Sequence, residues 1–156
     1  MSVKEALSVD RVSVVSDAGA IADKPAALRA ASELLARGLN GRSAPASEIL
    51  RALLEREATA STGVGGGVAV PHAMLAAVDR QIAALVVLSR PFPFDSIDGE
   101  PVAIVFALVG PPGAAAQHLK ALARIARLLR DESFRKRLRR SASSSAAYEL
   151  ICELDR

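Results

Sequence analysis

The chain is short of aromatic residues: no tryptophan, one tyrosine and four phenylalanines, 3% of 156 residues. That leaves no row of rings on which nucleic-acid bases could stack. The core must come from the Ala, Val, Leu and Ile that dominate the 51% apolar content. Cysteine is scarcer still. Cys152 alone cannot form an internal disulfide, which suits a reducing compartment. Long apolar stretches are missing too. The longest, 82–88 and 102–109, fall far short of the roughly 20 residues a membrane-spanning helix needs. Lys4, Glu5 and Asp10 break up the N-terminal segment, and no apolar stretch of the kind a secretory leader carries follows them. A cytoplasmic protein without membrane insertion is the expectation.

Two histidines and one distant cysteine make no recognisable zinc spacing. No Gly-Lys-Ser/Thr marks a phosphate-binding loop. The run from Gly63 leads into a strand and a proline, whereas a dinucleotide fingerprint leads into a helix. Zinc, phosphate-loop and dinucleotide sites are therefore not expected.

The net charge of +3 hides an asymmetry, because Lys120–Arg140 holds nine basic and two acidic residues. Basic clusters can bind nucleic acid. Here Lys120, Arg124, Arg127 and Asp131 recur at helical spacing with no aromatics between them, which predicts a solvated helix face and no nucleic-acid partner.

Apolar periodicity predicts a short strand at 12–15 and a helix from Asp23-Lys24-Pro25 to Gly38. A second helix is expected from Ser43–Pro45 to about Glu57. A short strand follows at 68–70. The runs at 81–90 and 102–109 lack polar alternation, which predicts strands covered on both faces. Helices are expected over 114–130, 132–140 and 144–154. Helices mixed with apolar strands imply an α/β sandwich around one central sheet, a single domain over 1–156.

The segment from Thr62 to His72, TGVGGGVAVPH, stands out. It reads as a glycine-rich loop that runs into a short strand and delivers a histidine just past its end, where α/β folds tend to place reactive groups. His118 falls in the first turn of the predicted 114–130 helix, on one face with Leu122, Ile125 and Leu129, and so points inward. That helix start favours an anion. Arg56 closes the preceding helix with a guanidinium suited to phosphate or carboxylate oxygens. With hydroxyls at Ser61 and Thr62 these residues describe a small anion site. Histidine can carry a phosphoryl group covalently, and phosphoryl transfer asks chiefly for neutralisation of oxygen charge. Each residue alone also has a structural reading: a core histidine, a solvated arginine, glycines that only make turns.

Glu57, six residues, then Val64-Gly65-x-x-Val68-Ala69-Val70-Pro71-His72-Ala73 resembles the phosphorylation-site signature of enzyme IIA domains of the fructose/mannitol/nitrogen class in the bacterial phosphotransferase system. The segments Phe94-Asp95-x-x-Asp98-Gly99-x-Pro101-Val102 and His118-Leu119-x-x-Leu122-Ala123 are also similar to that family, and the stretch from Phe92-Pro93-Phe94-Asp95 to Val102 is similar to its nitrogen-regulatory branch. The resemblance implies a mixed β-sheet flanked by helices on both faces and a phosphohistidine carrier with no metal, no organic cofactor and no small-molecule turnover of its own. It makes His72 the phosphoryl acceptor, His118 a stabiliser of the phosphoryl group and Arg56 a contact to its oxygens, with Ser61, Thr62 and Gly66 as phosphate-site support. It also implies an HPr-like phosphocarrier as donor. The output would be regulatory targets such as potassium-transport or sensor-kinase components; in a fructose-type uptake role it would be a IIB domain. Gly66 stands where relatives often have Asn or Glu, which removes a polar side chain expected near the phosphoryl site. Ala73-Met74 stands where Gly and a basic residue are common, and Gly110-Pro111-Pro112-Gly113 replaces a more acidic loop.

Overall fold

The longest apolar runs become the centre of the molecule. In the computed structural model, which describes residues 2–17, 19–39 and 45–155, β5 (Ile82–Phe92) and β6 (Val102–Gly110) pair antiparallel from Ile82↔Val109 onward. Side chains alternate across a strand. Ala84, Val86, Val105 and Ala107 therefore face one layer, and Leu85, Val87, Ile104 and Phe106 the other. Two helices, α2 (Lys24–Ala36) and α3 (Ala46–Thr59), cover the first face. The second is covered by α1 (Val3–Ala6), α4 (Ala115–Arg130), α5 (Glu132–Arg139) and α6 (Ser144–Leu154). With both faces covered, strand residues need not alternate with polar ones, which explains the unbroken runs. Phe106 is fully buried in the second layer. Phe106→Ala should cost about 3–5 kcal/mol in urea unfolding.

Among the described residues six strands form one mixed sheet: β1 (Val12–Val15), β5, β6, β3 (Val68–Ala69) and β2 (Gly63–Gly65) follow in that order, and β4 (His72–Met74) also pairs with β6. At one edge β1 runs parallel to β5. On the other side β2 and β3 form a hairpin, and β3 lies parallel to β6. The short β4 also runs parallel to β6. Val68↔Ile104 and His72↔Leu108 keep one register, so β3 and β4 are a single line interrupted at Val70-Pro71. Proline has no N–H to give the ladder, and the Val70 N–H turns away to the Thr62 carbonyl at 2.9 Å. The Pro71 carbonyl still accepts from the Leu108 N–H at 3.0 Å. His72 thus opens a strand fixed to the central β6, where the sequence suggested a position beyond a strand end.

Helix starts follow their caps. The Asp23 carboxylate accepts from the Ala26 N–H with Pro25 in the first turn of α2, and Ser143 caps α6 through the Ala146 N–H. The α3 helix starts after Pro45; Ser43, named for that start, lies outside the described residues. The glycine segment departs from its reading as a loop, since Gly63–Gly65 is itself a strand. Gly65, Gly66 and Gly67 turn the hairpin with φ of 95°, 67° and 80°, a region open mainly to glycine. Arg124 also departs from the solvated face predicted for it. It reaches the buried Asp155 carboxylate at 2.9 Å, and that carboxylate also accepts the Lys4 N–H at 2.9 Å. No helix among the described residues is long and apolar enough to cross a membrane.

Candidate functional site

Register along β6 sets where His72 lies, and a backbone hydrogen bond sets its chemistry. The imidazole Nδ1 is 2.8 Å from the Val70 carbonyl oxygen. A carbonyl only accepts, so Nδ1 carries the proton and Nε2 keeps its lone pair. Burial lowers the His72 pKa below 6.5; the Val70 bond opposes this, Arg56 adds to it, and Glu57 works against it. The ring is neutral at neutral pH and half-buried.

His118 enters from the opposite layer, in the first turn of α4. Its ring centroid is 5.9 Å from that of His72, with the planes tilted by 50°. Nδ1 lies 2.8 Å from Oε1 of Gln81, and the buried Nε2 has no hydrogen-bond partner among the described residues. Burial first, then the neighbouring His72, lowers the His118 pKa. Imidazole titration followed by NMR should place both midpoints below the usual value near 6.5. The sign for stability follows. Below about pH 6.5 the unfolded chain binds protons that the folded rings resist. The contribution of these two groups is therefore whole above that pH and declines as pH falls toward the folded midpoints.

Arg56 lies in the last turn of α3 and donates from Nη1 to the Ala60 carbonyl at 2.9 Å. That bond holds the guanidinium at the site while leaving other N–H groups for a ligand. Arg56, His72, Met74, His118, Leu119 and Leu122 line a cavity of about 610 Å³. A smaller one of about 230 Å³ adjoins it, lined by Arg56, Ser61, Thr62 and His72 among others. Two neutral imidazoles and a cation around an open cleft can accept an electrophilic group and neutralise its oxygens. Met74 and Leu119 stand exposed on the rim, at 47% and 68%.

The supporting residues divide. Ser61 and Thr62 line the smaller cavity, but their polar groups serve the chain. The Ser61 hydroxyl donates to the Phe94 carbonyl at 3.0 Å. The Thr62 hydroxyl and N–H both donate to Glu57, which also pairs with Lys24 at 3.1 Å. Glu57 is thus a buried anchor for the segment that carries the hairpin. Gly66 is not brought to the histidines. It sits at the hairpin tip in another cavity, its N–H donates to the Asp98 carboxylate at 3.0 Å, and an added Cβ would meet the Arg135 guanidinium at 3.1 Å. A side chain at this position would thus press on Arg135 first. Gln81 was missed by sequence reasoning. A glutamine just ahead of an apolar strand carries no signal of its own, and only the fold brings it to His118.

Residues 9–153 match the family model described as "Phosphoenolpyruvate-dependent sugar phosphotransferase system, EIIA 2". A nitrogen regulatory protein of Bradyrhizobium diazoefficiens is 48% identical over 103 residues, 66% of this chain and 67% of that one. Its namesake in Escherichia coli K12 is 37% identical over 133 residues, 85% and 80% of the two chains. Among solved structures, the nitrogen regulatory protein IIA-Ntr of Neisseria meningitidis superposes with a TM-score of 0.85 at 29% identity, covering 96% of this chain and 98% of that one.

Proposed function

Because the chain belongs to the phosphoenolpyruvate-dependent sugar phosphotransferase system EIIA 2 family, we propose that it is a single-domain histidine phosphoryl carrier whose phosphorylation state is its output. The observation that carries this reading is the hydrogen bond from His72 Nδ1 to the Val70 carbonyl, which leaves the Nε2 lone pair as the nucleophile. The phosphoryl donor is an HPr-like carrier bearing a phosphohistidine. The Nε2 lone pair forms the bond to phosphorus as the donor's N–P bond breaks, and that electron pair stays on the donor's imidazole nitrogen. Arg56 neutralises phosphoryl oxygens and His118 supports the group from the other side of the cleft. The exposed Met74 and Leu119 offer an apolar rim against which a carrier can dock and exclude water.

The regulatory output is favoured over sugar uptake, since the relatives described above carry nitrogen-regulatory names. Its targets belong to potassium transport, sensor-kinase signalling or a related response. Incubation with enzyme I, an HPr-like carrier and labelled phosphoenolpyruvate tests the reading. Acid-labile label on this protein is expected, and its absence would overturn the carrier function. Onward passage of label to a IIB domain and a sugar would replace the regulatory output with the fructose-type role.

A further inference from the structure

Gln81 is 2% exposed and lies directly before β5, facing the His118 ring. Its carboxamide oxygen accepts from His118 Nδ1, while its own Nε2 is buried without a partner among the described residues. An unsatisfied buried donor is costly, and an apolar residue of similar size would avoid the penalty. The fold also leaves room for this side chain. A Cβ on Gly110, at the end of β6, would fall 2.2 Å from Gln81 Oε1. Any other residue at position 110 would push the carboxamide off its histidine. Glutamine here is thus held in place at a cost, and what it fixes is a proton.

We propose that Gln81 is a positioning residue for phosphoryl transfer. By keeping the His118 proton on Nδ1, it makes His118 take up a second proton, on Nε2, when the phosphoryl group arrives on His72. This rests on His72 being the acceptor. An amide oxygen accepts only from a protonated Nδ1, so neutral His118 presents a bare lone pair at Nε2 and has nothing to donate. The reverse contact, an amide N–H against Nδ1, would put the proton on Nε2 and let a neutral ring donate. A carboxylate in place of the carboxamide would favour the imidazolium before any phosphate arrived. Gln81 does neither.

The step balances simply. Phosphorus passes from the donor's nitrogen to His72 Nε2, and one proton from solvent passes to His118 Nε2. The resulting N–H⁺ donates to a phosphoryl oxygen while Nδ1–H stays on Gln81. Other charges around the ring do not supply this proton. Glu55 and Arg56 come from α3 and His72 from β4, and on α4 itself the cleft residues are Ala115, Leu119 and Leu122. Glu55 is exposed and pairs with Arg51 at 3.8 Å. The phosphoryl dianion is the new charge that raises the affinity of His118 for a proton.

Ring nitrogen spectra of the whole protein, labelled with 15N, test the proposal near neutral pH. Before phosphorylation, His118 should show a protonated Nδ1 and an unprotonated Nε2; afterwards, both nitrogens should be protonated. A proton on Nε2 in the unphosphorylated protein, or a neutral His118 after phosphorylation, would overturn it. Gln81→Leu should slow transfer from the carrier about tenfold, roughly one hydrogen bond's worth. Gln81→Glu should restore the Nδ1–H tautomer and protonate His118 in advance. Compared with the unsubstituted protein, its transfer equilibrium should then depend less on pH between about pH 6 and 8. An unchanged pH dependence in Gln81→Glu would contradict the proposal. Absence of label on His72 would overturn the carrier reading, whereas the tautomer of the unphosphorylated protein is read without any transfer.

Discussion

His72→Ala should take label from the phosphocarrier down to background, a loss of at least about a thousandfold, because a covalent acceptor has no substitute. Its neighbours cannot replace it. His118 is only 5% exposed, which keeps its ring from a direct attack on an incoming carrier. Ser61 and Thr62 have their hydroxyls committed to Phe94 and Glu57. The fold should survive, since His72 is only half-buried and β4 is held to β6 by backbone bonds. Circular dichroism and urea unfolding check that the loss is chemical. Label that persists in His72→Ala would place the acceptor elsewhere and remove the basis for the cleft described above.

The second large effect belongs to His118. Replacement by Ala should leave the label on His72 but slow its arrival by about 10²–10³-fold, the scale seen when one preorganised donor to a developing anion is removed. Stopped-flow or quenched transfer from the labelled carrier measures it. Part of the loss is indirect, because the substitution also leaves the Gln81 carboxamide without its partner. His118→Gln keeps a polar group and serves as the milder comparison. A rate within a fewfold of the unsubstituted protein would show that His118 serves packing alone.

Much of this site was legible because its signals are local. Pro71 and the glycines before it mark a turn and a break whatever the rest of the chain does, and the helical face of Leu122, Ile125 and Leu129 carries His118 inward. The two central strands were legible for a different reason: unbroken apolar runs need cover on both sides. What escaped depends on distant partners. Gln81 matters only because the strand pairing puts Gly110 beside it and α4 lays His118 over it. The three-residue strands β2 and β4 are too short to show periodicity, so in sequence the first looks like loop and the second like a point beyond a strand. A linear signature cannot place Gly66, whose hairpin tip the fold carries toward Arg135. Helical spacing puts Arg124 on a solvated face, yet the buried Asp155 at the far end of α6 draws it in.

On the proposed carrier function, the Val70 carbonyl holds the proton on Nδ1 and so directs the phosphoryl group to Nε2 of His72. Phosphorylating 15N-labelled protein with enzyme I, an HPr-like carrier and phosphoenolpyruvate, then reading the 31P–15N coupling, identifies the bonded nitrogen directly. Coupling to Nε2 of His72 is the predicted result. Coupling to Nδ1 of that ring, or to any other residue, would contradict it.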